Sequence, residues 1–504
     1  MSLANMPSAA LKPLQLLSIL TLLGLGPWVG ASEAGEREAG EREAEQVLTR
    51  EFLGGDASGI TSVGPYTLIT TGSINTSFWS SLGGPELTTR IDIPIATTGS
   101  YRDAVITSPR AINANQRRYF PVTRLSGPFD LWATDGTTAG TTRVVDGTVL
   151  NLVGSLQELA AIGDTLAMIN FVSGQGQRLM LLDPKAPGGA VVIPDFEPYT
   201  VDAGPHMAAF QGALYVSSTQ NGDRSLWRLD IETRQLTQVW LMDDGGTNRR
   251  APSQLTVVNG ALYFRATDND GPALWRLNAS GSGASRLFDP SPNEPDASSM
   301  RNALKLMDGG NRLFFFSLPF DPDLDPPAFR NRTRLAQSQG SSGQTSRVWV
   351  EALGDGFDNV MNELMVVRGN ELIFRSRPDA DEGRQWWLSG GTEASTQRLL
   401  IDGQPVDAAA SLTNRIDAAA DEYNAWVTND GGGVRDQLIR IGPNPEQRYA
   451  LSNELRFTDN VHAHNGQVWF TSARPGTGQL DVYRYCPDSC PGPFIFRDGF
   501  KAGP

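Results

Sequence analysis

The side chains of this sequence best suited to chemistry are carboxylates and amides on short turns. Asp268-Asn-Asp-Gly271, Asp379-Ala-Asp-Glu-Gly383 and Asn221-Gly-Asp223 each stand between an apolar run and a second run that contains Trp. Hard oxygen donors on tight turns suit Ca²⁺. Asp223, Asp268, Asp270, Asp379 and Asp381 are therefore the candidate calcium or ligand-binding residues. The competing reading is plain solvated turns, because Asp, Asn and Gly are favoured there on conformational grounds alone. Asp321-Pro-Asp-Leu-Asp325 imitates the opening of a calcium loop, but Pro326 stands where that loop needs Gly and Arg332 where it needs Glu.

Recognisable reaction motifs are absent. The sequence has no G-x-S-x-G, H-E-x-x-H, G-x-x-x-x-G-K-[ST] or C-x-x-C. The histidines are three, His206, His462 and His464. No catalytic residue and no resident metal is assigned, and calcium is the one cofactor considered. Paired carboxylates of a glycoside-cleaving enzyme are not excluded by a chain this rich in acids. His462 and His464 could share one face of a strand. With Cys486 and Cys490 they complete a Cys2His2 set on paper, yet the spacing matches no familiar zinc pattern. Two polar residues on a solvent-facing strand are expected instead.

Composition narrows the class. Lys plus Arg number 42 against 56 Asp plus Glu, a net charge of −14. An acidic chain lacks the basic face that nucleic acid requires. With 53 Gly and 32 Pro in 504 residues, turns are many and long helices few. Lys12 is the only charged side chain before Glu33, and an apolar stretch over 14–25 leads to Val29-Gly-Ala31. This reads as a signal peptide over 1–31, too short to span a bilayer, so an extracytoplasmic location, secreted or periplasmic, is expected. In that compartment Cys486 and Cys490 are expected to close a small disulfide loop. No later segment is long and apolar enough to be a membrane span. An acidic, repetitive stretch over 32–51 is expected to be a disordered spacer.

One pattern recurs from there to residue 485. An apolar strand is followed by a polar turn and a second strand centred on an aromatic or Leu. Clear copies are Gly212–Leu229, Gly260–Leu277, Asn370–Ser389 and Asn465–Tyr485, with weaker ones between. A unit of about 40–50 residues built from short strands is a propeller blade. The fold expected is all-β: a single β-propeller over 52–485 of about eight four-stranded blades, with seven to nine open. Eight follows if the first and last hairpins share a blade and so lock the ring. Strand-centre aromatics are then the core between blades. A disordered insertion is expected over about 319–345, and a Cys/Pro-rich tail over 486–504.

Asp130-Leu-Trp-Ala-Thr-Asp-Gly-Thr-Thr-Ala-Gly-Thr141 resembles the ELWxxDGT-repeat family of exported bacterial proteins. Trp387-Leu-Ser-Gly-Gly-Thr-Glu-Ala-Ser-Thr396 is a partial copy. Asp135-Gly136 fits a tight turn, and Thr137 and Thr141 can fix it with local hydrogen bonds. The resemblance implies a secreted β-propeller and carries no catalytic set. The function expected is a non-enzymatic binding or interaction scaffold at the bacterial envelope or outside the cell. Its partner, a protein or a polysaccharide, is unknown, and the scaffold is expected to be a monomer. The alternative is a polysaccharide-directed hydrolase or lyase that uses loop carboxylates on one face.

Overall fold

The computed structural model describes residues 45–49, 53, 56–71, 77–93, 101–104, 106–107, 110–124, 128–183, 190–200, 204–219, 224–241, 250–268, 271–287, 304–317, 320–321, 328–329, 332–348, 357–358, 365–376, 383–407, 418–420, 424–430, 436–442, 444, 448–450, 456–473 and 480–486. They belong to one compact unit that starts at Arg42.

Each repeat folds as an antiparallel meander, and nine such sheets follow one another along the chain. Blades 1 to 9 occupy 57–92, 101–145, 152–192, 207–241, 250–286, 304–347, 365–398, 418–450 and 456–485. Gly-rich turns with positive φ join first to second strands. Asn259-Gly260 and Asn465-Gly466 show the pattern, with φ of 45 and 69° and of 51 and 71°. Two successive positive-φ residues match the twist of the strands they connect.

A sheet cannot bury both of its faces alone, so successive blades stack. Nine apolar clusters of described residues each draw on two adjacent blades, and together they close a ring. The cluster between blades 9 and 1 joins Trp469 and Val482 to Ile60 and Ile69. The protein is a nine-bladed β-propeller, at the upper end of the expected range.

The ninth blade reflects how the ring is locked. Glu45–Leu48 pairs antiparallel with Leu480–Tyr485 as the outer strand of blade 9. Leu48 is wholly buried in the 9–1 seam. Gln46 Nε2 donates to the buried Asp481 carboxylate at 2.6 Å. The lock is thus a strand of its own, and the first hairpin is free to head its own blade. The disordered spacer expected over 32–51 thus gives way to a strand at Glu45–Leu48, and residues 32–44 lie outside the described residues. Four residues with two apolar side chains are too few to show a period.

A second correction falls in the expected insertion. Arg332–Ser338 and Thr345–Arg347 are the third and fourth strands of blade 6. Leu335-Ala336 stands where other blades carry an aromatic, so this copy reads as low complexity. Trp349 lies outside the described residues.

The turn of the ELWxxDGT-like copies is built four times between third and fourth strands. Hydroxyls seven residues apart bond each other: Thr134 with Thr141 at 2.7 Å, Ser338 with Thr345 at 2.8 Å, Ser389 with Thr396 at 2.7 Å, and Ser81 with Thr88 at 2.8 Å. Two residues after the first hydroxyl, a glycine N–H donates back to it, from Gly136, Gly340, Gly391 and Gly83 at 3.0 to 3.2 Å. The second hydroxyl donates to the carbonyl four residues before it, as Thr345 does to Ser341 at 2.7 Å. Asp135 accepts from the Thr137 N–H at 2.9 Å and hydroxyl at 2.7 Å, as the sequence suggests.

The glycines also let a neighbour approach. Gly340 has φ +112°, and a Cβ there would stand 3.2 Å from the Tyr263 hydroxyl of blade 5. Arg276 of blade 5 donates to the Gly340 carbonyl at 2.7 Å. Arg312 of blade 6 donates to Gly390 of blade 7 at 2.5 Å. Arg484 of blade 9 packs on Gly83 of blade 1. The motif turn is therefore a latch between blades.

Third-strand aromatics fill the seams unevenly. Trp132 and Trp387 are 3% and 1% exposed. Trp227 and Trp275 are half-buried at the seam margins, where they pack edgewise on Phe196 and tilted on Trp240 at 5.9 and 5.1 Å.

Candidate functional site

The three acidic turns all join second to third strands, in blades 4, 5 and 7. In a meander repeated nine times, the strand ends that flank these connections lie at one end of the ring. Asp268 ends its strand opposite Gly271, while Asp223, Asp270, Asp379 and Asp381 lie outside the described residues. Among the described residues, no three His, Cys, Asp or Glu side chains converge as a metal site would require. Cys486 is the last described residue, and Cys490 lies beyond it.

Polar side chains of the innermost strands stitch one blade to the next. Glu158 of blade 3 accepts the N–H groups of His206 and Met207 in blade 4, both at 2.8 Å, and its other oxygen lies 3.0 Å from His206 Nδ1. A carboxylate that orients an imidazole is half of a general-base arrangement. Here His206 is 3% exposed, and its Nε2 has no partner among the described residues. A substrate reaches that ring only if the seam opens, so the pair is a clamp between blades. Gln254 of blade 5 likewise accepts from Leu306 N of blade 6 at 3.1 Å.

His462 and His464 do share one face of their strand, stacked at 6.3 Å. That face is no open surface. Both are half-buried at the 9–1 seam, and His462 Nε2 lies 3.0 Å from Ser62 Oγ of blade 1. Burial, with His464 and Arg118 nearby, brings the His462 pKa down to about 4. Arg118 donates to Ile106 O at 2.6 Å and Asn113 Oδ1 at 3.0 Å, and burial lowers its pKa to about 10. In blade 2 the fully buried Asp130 carboxylate takes Arg124 at 2.8 Å and Gly147 N at 2.9 Å. These charges fix blades in place.

Among the described residues, space for a ligand opens at two of the seams. Blades 4 and 5 lack the hydroxyl-locked turn, and the seams those blades' turns enter hold cavities. One of about 350 Å³ lies between blades 3 and 4, lined by Asp164, Asp183 and Arg234 among others. One of about 400 Å³ lies between blades 4 and 5, lined by Tyr215, Arg228 and side chains of the Ser280–Ser282 turn. Both sit at the end of the blades opposite the acidic turns. Sequence reading missed them. The signal was the spacing [ST]-x-G-x-x-x-x-T, present in blades 1, 2, 6 and 7 and absent from the turns of blades 4 and 5.

No protein-family model matches the chain, and no curated protein matches it. Among solved structures, a puromycin hydrolase is 12% identical at a TM-score of 0.37 over 67% of this chain and 52% of that one. The chain thus spans about half of that hydrolase. The β-propeller domain of the Trilobed protease from Pyrococcus furiosus is 9% identical at a TM-score of 0.32, over 66% and 96%. An oligogalacturonate lyase in complex with manganese is 10% identical at a TM-score of 0.33, over 64% and 86%. Likenesses this low leave the assignment of the fold to the strand order and the seams. No helix among the described residues is long and apolar enough to cross a membrane.

Proposed function

We propose that this chain is an exported, non-enzymatic scaffold that binds its partner with the loops joining second to third strands, at the bacterial envelope or outside the cell. The observation that supports this is the regular meander itself, which brings the connections of blades 4, 5 and 7 to one end of a closed ring. Strands fixed by nine seams hold their loops at low entropic cost, which is how rigid scaffolds serve binding. Glu158, Gln254 and His462 are engaged in holding one blade to the next, which favours a structural role for these polar groups. The resemblance of Asp130–Thr141 to an exported repeat family points the same way. Cys486 and Cys490, joined as a disulfide, would close the tail outside the ring.

Acids gathered at one end repel one another, so that face suits Ca²⁺ or a cationic partner. A ligand that prefers the folded state raises the melting temperature as its concentration exceeds its Kd. Millimolar CaCl₂ is expected to raise it by a few degrees, and Asp268→Asn with Asp379→Asn is expected to halve the gain. An equal rise with MgCl₂ and in the double variant would count against a built site.

A further inference from the structure

Blades 4 and 5 carry the same row of side chains toward the next blade. In blade 4, Tyr215 pairs with Arg228, and Arg228 with Thr237. In blade 5, Tyr263 pairs with Arg276, and Arg276 with Ser285. Both rows follow from the repeated Gly-Ala-Leu-Tyr and Leu-Trp-Arg-Leu segments.

The two rows meet different neighbours. In blade 5 the locked turn of blade 6 meets both groups: Arg276 holds the Gly340 carbonyl at 2.7 Å, and a Cβ on Gly340 would stand 3.2 Å from the Tyr263 hydroxyl. In blade 4 the incoming turn is Asn278–Gly283, equal in length to the Gln339–Gln344 turn of blade 6 but without its hydroxyl lock. That turn closes on itself, Gly281 N to Asn278 O at 2.8 Å, and meets blade 4 through Gly283 N to Val239 O at 2.5 Å and through Gly281, where a Cβ would stand 3.2 Å from the Tyr215 hydroxyl. It offers Arg228 no carbonyl. Arg228 lies beside Tyr215 on the paired strand, and Asp230 is a loose partner at 3.8 Å. The N–H and hydroxyl of Thr233 hold that carboxylate in turn, both at 2.9 Å. Arg228 remains about one-third exposed, at 35%, and opens onto the cavity of about 400 Å³.

We propose that this cavity is a binding site for a carboxylate-bearing sugar. The carboxylate takes the place that the Gly340 carbonyl fills in the next seam, held by the Arg228 guanidinium and the Tyr215 hydroxyl. A charged oxygen suits the guanidinium better than a neutral one, because charge-assisted bonds are about twice as strong. The rest of the lining is amide and hydroxyl: Gln211, Gln238, Thr237 and the serines of the turn. Such groups match the ring hydroxyls of a sugar, and the volume falls in the range of small-ligand sites. The site stands at the end of the blades opposite the acidic turns, so it is independent of the function proposed above.

Sodium glucuronate, titrated into the full chain and followed by ligand-observed NMR, tests this, with glucose and acetate as controls. Glucuronate is expected to bind at least about tenfold tighter than either. Arg228→Gln is expected to abolish that preference, while Arg276→Gln, on the latched row, leaves it intact. Ser280→Trp, on an exposed turn residue, fills the cavity without touching the row and should block binding. Equal binding of glucose or acetate, or glucuronate binding that survives Arg228→Gln or Ser280→Trp, would overturn the proposal.

Discussion

The seam between blades 5 and 6 and the seam between blades 4 and 5 start from one design and end differently. Both begin with an aromatic hydroxyl beside an arginine on neighbouring strands. At the first, a glycine turn enters, takes the arginine and packs on the tyrosine hydroxyl. At the second, a turn of equal length brings Gly281 against the Tyr215 hydroxyl but gives Arg228 no carbonyl, and a cavity remains. The fold tolerates either, because the apolar clusters beneath the two seams close the ring in both cases. A latch is thus a local addition to a seam that already holds, and its loss creates space without breaking the ring.

The largest effect is expected from the apolar part of a seam. Trp387→Ala, at a side chain 1% exposed between blades 6 and 7, should cost about 3–5 kcal/mol in chemical denaturation. Trp227→Ala and Trp275→Ala, at half-buried rings, should each cost clearly less. Equal losses at all three would mean that seam margins and centres carry the same weight.

Next come the turn glycines. Gly340→Ala forces a side chain into φ +112° against Tyr263 and Arg276, and should cost about 1–3 kcal/mol. Gly281→Ala, at φ +69° in the looser turn, should cost less. Melting of the two variants side by side decides it. A larger loss at Gly281 would show that the open seam is the more tightly specified one.

The smallest effect concerns acid. His462 keeps a pKa of about 4 in the folded chain against 6.5 otherwise. Between these values the unfolded chain takes up a proton that the folded chain refuses. Stability should therefore fall as pH drops from about 6.5 toward 4, and His462→Gln should flatten that part of the curve. An unchanged profile in the variant would remove His462 from the 9–1 seam's energetics.

Much of this architecture was legible in the residues. Gly-Ala-Leu-Tyr and Leu-Trp-Arg-Leu mark strands by alternation, and the blade length follows from their spacing. What escaped was whatever depends on distant partners. Glu45–Leu48 shows no period, and its partner strand lies at the far end of the chain. Leu335-Ala336 lost the aromatic by which its blade would have been found, although the hydroxyls and glycine of its turn were present. The acidic turns do join second to third strands, as their place between the two apolar runs suggests. The seam cavity was invisible because it arises from a missing partner across two blades, and a sequence displays only what is present.

The strand Glu45–Leu48 also imposes an order in time. Gln46 and the Asp481 it binds are 435 residues apart. Any chain made from its N-terminus presents the first long before the second exists. Blades can zip as soon as their own four strands are available, since hairpins form from local contacts within microseconds. Blade 9 cannot, because one of its strands has been waiting since the beginning, with Leu48 unsheltered. The entropic cost of joining such distant segments grows only slowly with length, so the penalty falls on rate more than on final stability. Ring closure is therefore expected to be the last step of folding, however fast each blade forms.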